Sequence, residues 1–166
     1  MSECKFNMPV IYLDFDGVLN IESGLFNKNC ISNLNRIVEN IQCSIVISSS
    51  WRYSFSLDRL KLELLNNGFN HPERIVDVTP NLEIVNPETD IVDDFPCRGL
   101  EILSHVRVNK IKKWIAIDDC CDGYMKYNLI QTTYKDGLTE QLAYKAIKML
   151  KDETIREIYK QFKTGE

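Results

Sequence analysis

The chain has 166 residues, a length that favours one domain with a sizeable core. Its 44% apolar and 27% charged residues, with 7 glycines, 5 prolines and no low-complexity run, exclude disordered and collagen-like classes. A net charge of −4, from 20 basic and 24 acidic residues, lacks the overall basic footprint of a duplex-binding protein, and leaves room only for a local basic groove. Six cysteines, at 4, 30, 43, 97, 120 and 121, show no framework spacing, so reduced thiols and a cytoplasmic location are expected. No apolar leader opens the chain and no apolar run reaches the roughly 18 residues of a membrane span, so no membrane association is expected.

Val10–Leu13 is an apolar run that ends abruptly in Asp14-Phe-Asp16-Gly17, the pattern of a buried strand running into a loop. Residues 20 to 30 read as a loop or small flap. Leu34, Ile37, Val38 and Ile41 recur at helical spacing between 31 and 41, and Ser44–Ser48 follows as a second strand. Leu57, Leu60, Leu64 and Leu65 mark a helix stopped near Gly68, and Arg74–Val78 is a short third strand. Residues 79 to 97 read as irregular. A helix is expected from Arg98 to Val108, a strand over Trp114–Ile117 leading into Asp118-Asp119, and a weaker strand over Asn128–Gln131. Helices over about 139–150 and 152–163 close a single domain spanning 1–166, with its motif-bearing core at about 9–150.

Alternating strands and helices imply a parallel sheet covered on both faces, a Rossmann-like three-layer α/β/α sandwich. Ligands in such sheets bind at the carboxyl ends of the strands. Three strands end there in Asp14 and Asp16, in Ser48 to Ser50, and in Asp118 and Asp119. Four carboxylates on one sheet edge repel one another unless a cation joins them. Oxygen ligands suit Mg²⁺, whose shell substrate phosphate oxygens commonly complete.

In a phosphate site of this kind, Asp14 is placed to attack phosphorus and form an aspartyl-phosphate. Asp16, two residues on and on the same side of an extended segment, is placed to protonate the leaving oxygen and then activate water. Gly17 allows a sharp turn and close backbone approach to the phosphate. Ser48 and Arg98 are the expected phosphoryl ligand and charge-neutralising cation, with Ser49, Ser50 and Arg52 as further substrate contacts. Trp51 reads as a core residue or as a substrate platform. His71 and His105 lie outside every motif, which disfavours a histidine phosphatase, and Cys120-Cys121 are expected to be small buried apolar residues.

These residues carry a resemblance. Leu13-Asp14-Phe-Asp16-Gly17-Val-Leu-Asn20 resembles the first motif of the haloacid-dehalogenase-like (HAD) superfamily. Ile45-Val-Ile-Ser48, Arg98 and Ile117-Asp118-Asp119 resemble the second, third and fourth, in the same order. The finer pattern is similar to the HAD domain of Swiss Army Knife RNA-repair proteins over about 10–139. It comprises Ser48-Ser-Ser-Trp-Arg52, Arg98-Gly-x-Glu-Ile102, Trp114-x-x-x-Asp118-Asp119 and Gly137-Leu-Thr139. The resemblance implies a Mg²⁺-dependent phosphomonoesterase with Asp14 as nucleophile and metal ligand. It also implies Asp16 as acid/base and metal ligand through its backbone carbonyl, and Asp119 as a direct ligand with Asp118 alongside. Arg98 stands where the superfamily more often has lysine.

Superfamily members commonly carry a cap between the first two motifs or between the second and third. Neither interval here has room for a cap domain, so an open site is expected. The expected partner is a phosphorylated substrate, either a nucleic-acid 3′- or 5′-phosphate end or a nucleotide or other small metabolite, with no stable protein partner. A reading from another class, a signalling module phosphorylated on Asp14 without turnover, is disfavoured by Asp16.

Overall fold

The computed structural model describes residues 6–21, 24–82, 84–85, 92–94 and 97–152, with the backbone alone described at 84–85 and 92–94. Five parallel strands form the central sheet: β1 (Val10–Leu13), β2 (Ser44–Ile47), β3 (Ile75–Val78), β6 (Trp114–Asp118) and β7 (Leu129–Gln131). Their order is β3-β2-β1-β6-β7, with β1 at the centre. Parallel strands need crossovers. Helices α1 (Lys28–Asn40), α2 (Leu57–Asn66) and α3 (Arg98–Val108) lie between strands, and α4 (Glu140–Lys151) follows the last of them. This is the Rossmann-like α/β/α sandwich that the sequence implies.

Strand parity divides the core in two, because successive side chains point to opposite faces. Ile11, Leu13, Ile45, Ile47, Ile115 and Ile117 pack with the buried stripes of α1, α2 and α4. Val10, Tyr12, Val46, Trp114 and Ala116 pack on the other face against Ile102 of α3, together with Phe6, Ile111 and Met125. The strands are short β-branched runs because both faces are covered.

Two expectations are adjusted. The first helix begins at Lys28 rather than near 31, because the Asn27 side chain accepts the backbone N–H groups of Asn29 and Cys30 and caps it. The stretch 79–97 is not wholly irregular: β4 (Ile84–Val85) pairs antiparallel with β5 (Val92–Asp94). The expected helix at 152–163 falls outside the described residues apart from its first position. No helix among the described residues is long and apolar enough to cross a membrane.

Candidate active site

Strand register assembles the site. Leu13 of β1 is aligned with Ile47 on one side and Ile117 on the other. The next position in each strand is therefore Asp14, Ser48 and Asp118, side by side at the carboxyl edge. Backbone bonds continue through them, from Asp14 N–H to the Ile117 carbonyl at 3.1 Å and from Ser48 N–H to the Leu13 carbonyl at 3.0 Å. By strand parity all three even-numbered residues belong to the face covered by α3. Arg98 opens that helix, and its Nη1 lies 2.6 Å from Asp14 Oδ2 and 2.7 Å from Asp118 Oδ2.

Burial dominates the electrostatics. It raises the Asp14 carboxyl above the usual range despite Arg98, and with the repulsion of Asp14 it pushes Asp118 up to about 6. Burial works against the charge of Arg98 too, but its two carboxylate partners outweigh that and hold the guanidinium protonated above its ordinary value. Asp119 completes the acid group: Asp14, Asp118 and Asp119 each offer an oxygen within 4.8 Å of the others. Gly17 is what lets Asp119 in. Its φ is +73°, and a Cβ there would sit 2.5 Å from Asp119 Oδ2.

The three acids fit a divalent cation. In ionised form they carry three negative charges against the single positive charge of Arg98, which leaves two to neutralise. Asp14 Oδ1 is also buried with no hydrogen-bond partner, as is Ser48 Oγ beside it in the neighbouring strand. Buried polar atoms are normally paired, so these two oxygens at the sheet edge have capacity left for an outside partner.

Asp16 follows Asp14 by two residues, just before the chain turns. The Phe15 carbonyl accepts the N–H groups of Val18, Leu19 and Asn20, turning the chain, and the Asp16 carboxylate is held apart from the acid group. Asn20 Nδ2 donates to its Oδ1 at 2.7 Å and Trp51 Nε1 to its Oδ2 at 3.0 Å. Trp51 is thus both core residue and site residue, edge-on to Phe15 and Phe26.

After β2, Ser48 and Ser49 are buried, while Ser50 is exposed at the start of a 3-10 turn that Ser49 caps by accepting Trp51 N–H. Arg52 corrects the sequence reading: it is not an open anion contact. Its Nε donates to the Thr79 carbonyl, its Nη1 to the carbonyls of Ser48 and Ser49, and its Nη2 to Tyr53 and the Glu101 carboxylate. All five donors of the guanidinium are engaged beneath the loop. Cys120 and Cys121, expected to be buried, are exposed.

Sequence reasoning also missed Glu101 and Asp122. Glu101 follows Arg98 by one helical turn inside a motif, the only signal it gave. Asp122 accepts the Gly99 N–H, and Gly99 has no room for a Cβ because Asp122 and Tyr124 would lie 2.5 to 2.8 Å from it. A cleft of about 560 Å³ between α1 and α4, bordered by Asn29, Arg36, Lys135 and Glu140, contains none of the motif acids.

With this geometry in place, one comparison with known proteins finds a match. The family model of the HAD domain in Swiss Army Knife RNA repair proteins matches residues 10–143, from the first residue of β1 into α4. No curated protein and no solved structure matches the chain. The matched span contains every motif at the sheet edge and supports a phosphohydrolase of HAD type in general. A chain matched over most of its length belongs to the family of HAD domains found in Swiss Army Knife RNA repair proteins.

Proposed function

We propose that the protein is a Mg²⁺-dependent phosphomonoesterase working through an aspartyl-phosphate on Asp14. The observation that carries this reading is the pair of buried, unpartnered oxygens, Asp14 Oδ1 and Ser48 Oγ, on adjacent strands beside Arg98. An oxygen with no internal partner is available to attack, and a hydroxyl with none is available to bind. Arg98 neutralises charge on the transferring phosphoryl group, and Ser48 holds one of its oxygens. Asp16 protonates the leaving oxygen and then takes a proton from the attacking water. Asp14, Asp119 and Asp118 are the side chains that would hold Mg²⁺, with the Asp16 backbone carbonyl completing the set by family resemblance. When bound, the ion supplies electrostatic stabilisation of the phosphoryl oxygens.

The favoured substrate is a phosphorylated nucleic-acid end. The family description names RNA repair, which favours such an end over a small metabolite. Free thiols at 30, 43, 97, 120 and 121 support a reducing, cytoplasmic setting. The test is turnover of an aryl phosphate and of a panel of 3′- and 5′-phosphorylated RNA and DNA ends, nucleotides and sugar phosphates. Multiple turnover that EDTA abolishes, and that Asp14→Asn reduces at least about a thousandfold, is expected. Stoichiometric labelling of Asp14 without turnover would replace the enzyme by a signalling module. Turnover of small metabolites alone would overturn the nucleic-acid reading.

A further inference from the structure

We infer that Trp51 is a positioning residue, paired with Asn20, that fixes the carboxylate of Asp16 in the orientation needed for proton transfer; this rests on the phosphatase reading above. Trp51 Nε1–H is 3.0 Å from Asp16 Oδ2 and Asn20 Nδ2 is 2.7 Å from Oδ1, so both oxygens are tied from opposite partners. An indole N–H and an amide N–H can only donate, so both contacts use the carboxylate oxygens as acceptors and together fix the plane of the carboxylate.

The indole cannot easily turn away. Its ring is wedged among Phe15, Phe26 and Phe55 at centroid separations of 5.5, 5.6 and 5.8 Å, and its backbone N–H is held by Ser49 Oγ. Asn20 has the complementary property. Its Nδ2 holds the second oxygen, Oδ1, so the carboxylate is gripped at both ends. Trp51 and Asn20 together therefore keep the carboxyl plane fixed.

In the first displacement the carboxyl proton of Asp16 passes to the leaving oxygen as its bond to phosphorus breaks and the Asp14 oxygen–phosphorus bond forms, releasing the alcohol. In the second, water gives a proton to the Asp16 carboxylate while its oxygen attacks phosphorus, and phosphate departs with Asp14 restored as carboxylate. Only a poor leaving group needs the first proton, so the contribution of Trp51 depends on the ester used.

The experiment compares an alkyl and an activated aryl phosphate with Trp51→Phe, Asp16→Asn and the double variant. Replacement of Trp51 by β-(3-benzothienyl)alanine keeps the two-ring shape without the N–H and serves if Trp51→Phe does not fold. Expected are a loss in kcat of about tenfold or more on the alkyl ester, under about threefold on the aryl ester, little change in KM, and no further loss when the change is made in Asp16→Asn. Equal losses on both esters, or a loss that persists in Asp16→Asn, would show that Trp51 acts only by packing and would overturn the inference alone. No turnover of either ester by the unaltered protein would overturn the phosphatase reading and this inference with it.

Discussion

At the scale of single residues, direction matters more than type. Asp14, Ser48 and the Asp118-Asp119 pair are legible because each ends an apolar run, and a strand end fixes where its side chains go. Arg52 was not legible, because a guanidinium can face solvent, substrate or the underside of its own loop with equal chemical sense. The structure places its side chain and that of Glu101 almost wholly out of water, as an ion pair tying the loop after β2 to α3. Removing one member of such a pair strands the other charge. Arg52→Ala and Glu101→Ala are each expected to cost roughly 3 to 5 kcal/mol in denaturant unfolding. The Arg52→Met, Glu101→Leu double variant should cost less than the sum of the two. An Arg52→Ala protein of unchanged stability but raised KM would return Arg52 to the substrate-contact role.

At the scale of elements, the helices and central strands followed from apolar periodicity, whereas β4 has only two residues and β5 only three, too few for a period to register. The start of α3 shows a second limit. Its N-cap position is Cys97, which makes no side-chain cap; the carboxylate of Asp122, from the segment between β6 and β7, accepts the Gly99 N–H instead. A cap supplied across 23 residues leaves no local signature in the sequence. Because that first turn carries Arg98, Asp122→Ala should destabilise the protein by about 1 kcal/mol and speed amide exchange in the first turn of α3. Unchanged exchange there would mean that the cap does not hold the helix start.

At the scale of the whole molecule, gathering acids at one edge sets how stability follows pH. Asp118 has a folded-state pKa of about 6 against an ordinary 3.8, so between those values the native protein binds protons that the unfolded chain has released. Without a divalent cation, stability therefore falls as pH rises from about 4 to about 6, on the order of 3 kcal/mol from this group, and stays lost above that. A cation bound by the ionised acids opposes the loss. Thermal melts should show magnesium raising the melting temperature by several degrees at pH 7.5 and hardly at all at pH 4.5. An equal rise at both would mean that the ion binds elsewhere.

The sequence by itself determined the layered α/β fold and the motif order, because burial on both sheet faces and the crossover of parallel strands leave little freedom once the apolar runs are spaced as they are. The tertiary structure alone decided how those motifs meet. Parallel register brought positions 14, 48 and 118 to one edge, strand parity turned them toward α3, and Gly17 left the space that Asp119 fills. Side-chain direction decided that Trp51 reaches Asp16 and that Arg52 turns beneath its loop, since those orientations depend on neighbours far away in the chain.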